Sequence, residues 1–144
     1  MSLDPPLILN LAGWLGLLTM FCAAPALALP VCEGGNRADR KVTCIVDGDT
    51  GWERGVKWRL LDIDTPEVSQ PECSVELAVG IAARDRLRQM MAAGYLIEPS
   101  GRRDRSKREL VRIKVSRGDA GALLISEGLA QPWPNEGNVW CQRD

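Results

Sequence analysis

The apolar positions of the chain follow strand and helix periods in turn. Five segments have the β-branched or alternating composition of strands, namely 41–46, 50–53, 56–63, 95–98 and 109–116. An Arg54-Gly55 pair between the second and third segments predicts a hairpin turn. A polar loop is expected over 100–107, where the apolar alternation stops.

Two segments have the features of helices. Ser74 is a candidate N-cap for a helix that continues to about Ala93 and ends at Gly94. Its apolar residues recur at helical spacing and predict the face that packs on the core: Val75, Ala78, Ala82, Leu87, Met90 and Met91. A second helix is predicted over Ala120–Glu127, between Asp119 and Gly128. This order of strands and helices predicts an α+β, mainly β fold built as a small mixed barrel rather than a parallel sheet.

The N-terminal region is compositionally separate from the rest of the chain. The apolar segment Leu7–Leu29 contains Ala26-x-Ala28, the small-x-small pattern of an export-signal cleavage site. We therefore expect residues 1–28 to be a cleaved signal peptide and residues 29–144 to be a single exported domain, periplasmic or extracellular. Because the segment approaches the ~20 residues of a membrane span, and no Lys or Arg precedes it, an uncleaved N-terminal membrane anchor is the alternative.

Cysteine usage agrees with export. Of the five cysteines, Cys22 lies in the predicted signal and the other four suffice for two disulfides. Three pairings of four cysteines are possible. We expect Cys32–Cys44 to tie the N-terminal segment to the first strand and Cys73–Cys141 to tie the C-terminal tail to the first helix. A zinc site is disfavoured because the chain has no histidine and no Cys-x-x-Cys pair.

Charge balance and the absence of histidine exclude several classes of function. The chain has 18 Lys+Arg and 19 Asp+Glu, so its formal net charge is −1 and nucleic-acid binding would need local clustering of positive charge. Without histidine there is no Ser/His or Cys/His nucleophile pair, and no glycine-rich loop ends in Gly-Lys-Ser/Thr as in P-loop proteins. A general base would have to be a carboxylate, Tyr95, a lysine or a thiolate.

Three polar clusters carry candidate chemistry. Asp47-Gly48-Asp49-Thr50 follows the first strand, acids and an arginine occupy 59–67 at the end of the third, and 102–108 is a basic run. Each has a simpler alternative, because Asp-Gly turns often bond only to themselves and most basic runs are solvated loops.

The end of the third predicted strand determines where its charged side chains point. In a regular pleat, Asp62 and Asp64 lie on one face of the strand and Arg59 lies on the other. Because Pro66 ends the regular strand, we expect Asp64 to Glu67 to leave the pleat and turn toward Arg59.

Together the clusters supply the groups that phosphoryl transfer requires. Three groups are hard oxygen ligands for a cation: Asp49, Asp64 and the Thr65 carbonyl. Arg59 and Arg108 could hold a phosphodiester between two planar guanidinium groups. Glu67 is the free carboxylate nearest in sequence that could orient an attacking water.

Four motifs follow one another between about residues 42 and 130. They are Val46-Asp47-Gly48-Asp49-Thr50, Arg59-Leu60-Leu61-x-Ile63-Asp64-Thr65-Pro66-Glu67, Asp104-x-x-x-Arg108-x-Leu110 and Leu124-x-x-Glu127-Gly128-Leu129-Ala130. Their order and spacing resemble the staphylococcal nuclease (thermonuclease) family, and the first two in tandem are highly specific. The resemblance implies a five-stranded OB-type β-barrel with two to three packed helices, a bound calcium ion, and hydrolysis of phosphodiester bonds in DNA, RNA or both.

The resemblance also implies a role for each site residue. The calcium ligands would be Asp49, Asp64 and the Thr65 carbonyl, with Asp47 behind them. Arg59 and Arg108 would contact the scissile phosphate, and Glu67 would orient or activate the attacking water. The partner would be the nucleic-acid substrate, bound by a monomer without an obligate protein partner.

The chain departs from the family pattern in its third motif. The family's Asp-x-Tyr-Gly-Arg is replaced by Asp104-Arg105-Ser106-Lys107-Arg108. The missing tyrosine removes a phosphate contact or stacking partner, and Lys107 would strain a turn that prefers positive φ. A catalytically silent OB-type module that binds nucleic acid or a protein is therefore the alternative function. Trp133 or Trp140 either stacks on a base or covers the core.

Overall fold

The computed structural model describes residues 27–141, which contain eight strands and two helices. The strands are β1 (Cys44–Ile45), β2 (Thr50–Glu53), β3 (Val56–Leu60), β4 (Ile63–Asp64), β5 (Tyr95–Arg103), β6 (Glu109–Val115), β7 (Gly118–Asp119) and β8 (Gln131–Pro132). The helices are α1 (Ser74–Ala92) and α2 (Ala120–Ser126). Neither of these helices has the length and apolar character needed to cross a membrane. The predicted signal peptide falls outside the described residues except for its last two and stays a prediction.

Five strands pair edge to edge in the order β1-β2-β3-β6-β5. The β3–β6 pair is parallel and the other pairs of this path are antiparallel. β7 pairs with β6, while β4 and β8 form a separate two-stranded sheet. β5 continues over 100–103, which the sequence predicted as loop, with irregular pairing between Pro99 and Arg103. Within residues 27–141, β1 and β5 do not pair with each other, so the barrel is partly open, as OB-type barrels are. The predicted α+β, mainly β fold is confirmed, with two helices in the described part.

The core forms from alternate strand positions and one face of each helix. On β6, Val111 and Ile113 are buried while Arg112 between them is exposed, which is the period-two pattern of a strand. Leu87 of α1 and Leu124 of α2 belong to the same buried cluster and are fully buried. Truncation of such a side chain to alanine typically costs ~2–5 kcal/mol. The core therefore fixes the strand ends that carry the polar clusters.

The strand predicted over 56–63 is interrupted by a turn. Asp62, between β3 and β4, adopts the left-handed conformation with φ of 63°. Its carbonyl accepts the N–H of Trp133 at 2.9 Å, and its carboxylate accepts a hydrogen bond from Arg112 at 2.6 Å. The chain thus turns before Asp64 and not, as predicted, at Pro66, because partners from two distant segments hold Asp62 in this conformation.

The buried face of α1 differs in part from the predicted stripe. Cys73 rather than Ser74 is the N-cap, and its sulfur accepts the N–H of Glu76 at 3.4 Å. The buried residues of the helix are Glu76, Gly80, Ala83, Leu87, Met90 and Met91. The predicted core positions Val75, Ala78 and Ala82 are exposed instead. In its first turns the buried face of the helix consists of Glu76 and Gly80, because it packs against the 67–72 loop and not against the apolar core. Apolar periodicity does not identify such positions.

Two disulfide bonds join the pairs expected from the sequence. Cys32–Cys44 holds the N-terminal segment beside β1, where the Cys32 N–H also donates to the Ile45 carbonyl at 2.8 Å. Cys73–Cys141 joins residues separated by 68 positions and fixes the C-terminal tail at the start of α1. Two such bonds indicate an oxidising environment.

Candidate functional site

The turn between β1 and β2 buries a carboxylate at one end of the barrel. Asp49 is 3% exposed, and its Oδ1 accepts the Thr50 hydroxyl at 2.7 Å while its Oδ2 accepts the Thr65 N–H at 3.2 Å. Asp47 supports the turn by accepting the Asp49 N–H at 3.2 Å. A Cβ atom at Gly48 would lie 2.7 Å from a side-chain carbon of α1, so glycine is required for the helix to approach this closely.

Arg59 of β3 reaches two of the acids. Its side chain is 15% exposed, and Nη2 lies 2.9 Å from Asp64 Oδ1 and 3.3 Å from Asp49 Oδ2. Burial by itself would lower the pKa of Arg59, but the charges of Asp49 and Asp64 and the hydrogen bond to Asp64 outweigh it and raise the pKa. The turn at Asp62 brings Asp64 to Arg59, as the sequence predicted, although a regular strand would have kept them on opposite faces.

A second guanidinium arrives from the β5–β6 hairpin. Asp104 accepts the N–H of Arg108 at 2.9 Å and its Nε at 2.7 Å, while Arg108 Nη1 donates to Thr50 Oγ1 at 3.2 Å. Burial would raise the pKa of Asp104, but the hydrogen bonds and charge of Arg108 lower it overall. Lys107 has φ of 62°, the left-handed conformation expected at the position where the family pattern has glycine. Arg108 is therefore fixed in direction from both sides.

Glu67 stands at the rim of the site, and its side chain is exposed. Its main-chain N–H donates to Glu76 Oε1 at 3.2 Å. Partial desolvation raises the pKa of the Glu67 carboxyl, and the charges of Asp49, Asp64 and Glu76 raise it further against the opposing effect of Arg59. A carboxylate with a raised pKa is better matched to accepting a proton from water near neutral pH.

Tyr95, the aromatic candidate for a general base, makes a structural hydrogen bond instead. Its hydroxyl donates to Glu53 Oε2 at 2.7 Å. Burial, together with this hydrogen bond and the charge of Glu53, raises the pKa of Tyr95 to about 12. The phenol stays protonated at neutral pH, so Glu67 is the better candidate of the two.

The acids at the centre form an environment of hard oxygen donors. Asp49 Oδ2 and Asp64 Oδ1 both contact the same nitrogen of Arg59, and Thr65 beside them has a buried hydroxyl without a hydrogen-bond partner. Burial and then the charge of Asp49 raise the pKa of Asp47 to about 7, so positive charge placed beside these acids would favour the ionised form of Asp47. These residues fit a calcium-type cation. Between residues 27 and 141 no three His, Cys, Asp or Glu side chains group as a metal site, so a main-chain carbonyl and water would have to complete the coordination.

Residues 131–141, the C-terminal arm, contribute contacts that the sequence did not predict. Gln131 Nε2 and Asn135 Nδ2 donate to Asp64 Oδ2 at 3.2 and 3.0 Å. Because Asp64 Oδ1 already receives a guanidinium, both oxygens of this carboxylate are held in place. In the sequence, Cys141 indicated that this segment is anchored to the domain, whereas the two amide residues belong to no recognisable motif.

Trp133 of the C-terminal arm packs over Arg59. The Arg59 Cζ atom lies 5.7 Å from the centroid of the indole ring, which is within cation–π distance. The tryptophan is 52% exposed, whereas Trp140 is half-buried. The alternatives of base stacking and hydrophobic cover for these two residues stay predictions.

The structure gathers the residues that the sequence singled out. All but Glu67 are linked by direct contacts or through Thr50: Asp47, Asp49, Arg59, Asp64, Thr65 and Arg108. Glu67 follows Thr65 by two positions, and its main-chain N–H bonds to Glu76, which is outside this set. The arrangement has the acids, the two guanidinium groups and the peripheral carboxylate that metal-assisted phosphoryl transfer uses.

Comparison with known proteins agrees with this site. The family model described as staphylococcal nuclease homologue matches residues 57–138, more than half of the 144-residue chain. The match begins after Asp47 and Asp49 and includes the other predicted site residues. A search of curated proteins returns no match. From the family match, together with the barrel, we conclude that the chain belongs to the family of staphylococcal nuclease homologues, a family of nuclease type.

Proposed function

We propose that the protein is a calcium-dependent nuclease that hydrolyses phosphodiester bonds in DNA, RNA or both. One observation carries the proposal, namely that two guanidinium groups reach adjacent residues, one from strand β3 and the other from the turn that joins β5 to β6. Arg59 Nη2 is 3.3 Å from Asp49 Oδ2, and Arg108 Nη1 is 3.2 Å from Thr50 Oγ1. Planar guanidinium groups on two sides match the non-bridging oxygens of a phosphodiester, whose charge increases toward the transition state.

Each side chain has a distinct task in this proposal. The residues that would hold calcium are Asp49, Asp64 and Thr65 through its carbonyl, with Asp47 supporting them from behind. Calcium, when bound, supplies positive charge beside the scissile phosphate. Arg59 and Arg108 bind the phosphate oxygens, while Glu67 orients a water and accepts its proton. The water oxygen forms a bond to phosphorus as the bond to the leaving oxygen breaks.

The basic hairpin, residues 102–108, supports nucleic acid as the substrate. Its outward cations are Arg102, Arg103, Arg105 and Lys107, all exposed. Within the described part of the chain none of the four forms an ion pair. Because the whole chain carries a net charge of −1, this is a local positive surface next to Arg108. Such surfaces bind polyphosphate backbones.

The test is hydrolysis of single-stranded DNA and of RNA by oxidised protein that begins at Leu29. We expect cleavage that requires calcium, stops with chelator and falls by ~100- to 10,000-fold to a measurable residual rate in Glu67→Gln. The matched control is Glu98→Gln, which neutralises an exposed acid on β5 and should cleave normally. Failure of the wild-type protein to cleave either polymer would refute the proposal.

A second candidate is a catalytically silent OB-type module that binds nucleic acid or a protein. The observation that favours it is the left-handed Lys107, with φ of 62°, beside Arg108. Such a conformation costs a non-glycine residue ~1 kcal/mol or more. If this candidate is right, the protein should shift the mobility of DNA in a gel without cleaving it, both with and without calcium.

We also propose that the protein is exported, and that it acts as a monomer in the periplasm or outside the cell. The two disulfides support an oxidising compartment. N-terminal sequencing of the protein from its host tests the leader: a start at Leu29 supports cleavage. Recovery of the intact N-terminus in the membrane fraction would favour the anchored alternative.

A further inference from the structure

Glu76 is a buried carboxylate that neutral main-chain groups hold. It is the third residue of α1 and is 4% exposed. Its Oε1 accepts the N–H of Glu67 at 3.2 Å, and its Oε2 accepts the N–H of Glu72 at 2.6 Å. No Lys or Arg of the described residues forms an ion pair with it. A buried charge is costly unless it is hydrogen-bonded, so these two N–H groups and the N-terminal end of the α1 dipole stabilise it.

The same face of α1 supports both turns of the candidate site. Glu76, Gly80 and Ala83 follow one another at helical spacing and are all buried. A Cβ atom at Gly80 would lie 2.8 Å from the Pro66 carbonyl oxygen and 3.2 Å from that of Glu67. The equivalent atom at Gly48, between the two acids of the first turn, would lie 2.7 Å from Ala83 Cβ. The helix is thus in close contact with the backbone that carries the acids.

We propose that Glu76 is a positioning residue for Glu67 and that it acts through the Glu67 main-chain N–H. This inference rests on the proposed nuclease function. The Glu67 side chain is exposed, so its direction depends on the backbone from which it extends. Glu76 bonds to both ends of the 67–72 loop and closes it against the helix. Removal of this bond leaves the loop free to shift the carboxylate relative to Arg59, and a displacement of ~1 Å can cost ~100-fold in rate.

Glu76→Gln isolates this role with little change in shape. The amide keeps one acceptor oxygen, but its NH2 group faces a main-chain N–H, so one of the two bonds is lost. We expect the oxygen to stay on the 2.6 Å bond to the Glu72 N–H and the longer, 3.2 Å bond to the Glu67 N–H to break. The remainder of α1 stays anchored in the core by Leu87, Met90 and Met91. The matched control is Glu127→Gln. Glu127 is the C-cap of α2 and accepts two bonds from Arg86, which lies ten positions after Glu76 on α1.

The first measurement separates kcat from KM on single-stranded DNA with saturating calcium. We expect Glu76→Gln to lower kcat by ~10- to 100-fold with KM and the calcium dependence nearly unchanged. Glu127→Gln should keep its kcat. In a Glu67→Gln background the further loss from Glu76→Gln should vanish, because a residue that acts only through Glu67 has nothing left to position. Losses that multiply, or an equal loss in the control, would overturn the proposal.

The second measurement does not depend on activity. Hydrogen exchange of the Glu67 amide, followed by NMR, should be slow in the wild-type protein and fast in Glu76→Gln, while core amides of β6 stay protected. Continued protection of the Glu67 amide in the variant would also overturn the proposal. Should Glu76→Gln fail to fold, Glu76→Asp replaces it in both measurements with the same expectations, because the shorter carboxylate cannot reach both N–H groups. A wild-type protein without nuclease activity would refute the proposed function. The exchange measurement would then still test whether Glu76 holds the Glu67 N–H.

Discussion

Arg59 and Asp64 are joined by a 2.9 Å hydrogen-bonded ion pair across the turn at Asp62. Nη2, the Arg59 atom that binds Asp64, also lies 3.3 Å from Asp49, so one guanidinium connects acids of two motifs. Such a group is held in direction before a substrate arrives. Preorganised positive charge of this kind is the form of electrostatic stabilisation that active sites use.

Arg59→Lys should therefore cost more than a conservative change of charge suggests. Lysine keeps the positive charge but loses the planar fork that binds two oxygens at once. We expect kcat to fall by ~100-fold, with folding retained by circular dichroism. Arg112→Lys is the matched control, because Arg112 forms a more exposed pair with Asp62 and should keep its rate. Equal rates for Arg59→Lys and wild type would contradict the assignment of Arg59 to the phosphate site.

The two disulfides should differ in their effects on stability and activity. Cys73–Cys141 joins residues 68 positions apart and Cys32–Cys44 joins residues 12 apart. Loop-closure entropy then makes the former more stabilising by ~1.5 kcal/mol. Paired serine substitutions at each disulfide, followed by denaturant unfolding, test this order.

The longer disulfide should also matter for catalysis. It anchors the C-terminal arm, whose Gln131 and Asn135 hold the Asp64 carboxylate. Loss of such outer contacts typically costs ~10- to 100-fold in metal affinity or activity. We expect that loss in Cys73→Ser/Cys141→Ser and near-normal activity in folded Cys32→Ser/Cys44→Ser. Equal activities in the two variants would mean that the arm holds its position without the disulfide.

Local patterns predicted the elements whose periodicity decides their structure. β2 and β6 and both helices lie close to their predicted bounds, because alternate or helical apolar positions fill one core. The turn at Asp62 could not be predicted, since its left-handed backbone depends on Trp133 and Arg112, which are distant in sequence. The buried Glu76 was missed for the same reason: hydropathy assigns a glutamate to the surface, whereas here a loop supplies its hydrogen bonds.

The candidate site was predictable as a set of residues but not as a geometry. The motifs contain every acid and arginine that the structure gathers around Asp49. They do not indicate that Arg108 reaches Thr50, or that the C-terminal arm binds Asp64. Those contacts arise from the packing of separate segments, which spacing along the chain does not encode.

The Asp104–Arg108 pair predicts a pH dependence of stability. The folded pKa of Asp104 is lowered from an unfolded value near ~3.9. Its contribution is therefore complete above the unfolded pKa and is lost as the pH falls through the folded pKa. We expect Asp104→Asn to lower the free energy of unfolding by about 1 kcal/mol at pH 7, since the pair is partly exposed. The difference from wild type should shrink as the pH falls below the unfolded pKa; a difference independent of pH would contradict the assignment. Asp39→Asn, at an exposed acid, is the control.

The basic hairpin predicts a salt-dependent affinity for polymeric substrate. Each contact with a single-strand phosphate contributes ~0.7 to the slope of log affinity against log salt. Arg102→Gln/Arg103→Gln should thus reduce that slope by up to ~1.4, measured by fluorescence anisotropy with calcium omitted. Arg54→Gln/Arg117→Gln makes the same change of charge outside the hairpin at two exposed arginines and should leave the slope unchanged. An equal reduction in both variants would indicate a general effect of net charge.

Calcium should stabilise the folded protein through Asp64. A ligand that binds only the folded state adds RT ln(1 + [L]/Kd), which is ~2.7 kcal/mol at one hundred times Kd. We expect calcium to raise the thermal midpoint of the wild-type protein and to leave that of Asp64→Asn nearly unchanged. Asp62→Asn is the matched control, because Asp62 lies two positions earlier and its carboxylate is exposed and bound to Arg112. That variant should lose some stability and still respond to calcium. If Asp64→Asn responds as strongly as Asp62→Asn, Asp64 is not a calcium ligand, and its hydrogen bonds to Arg59 and the C-terminal arm define a structural acid instead.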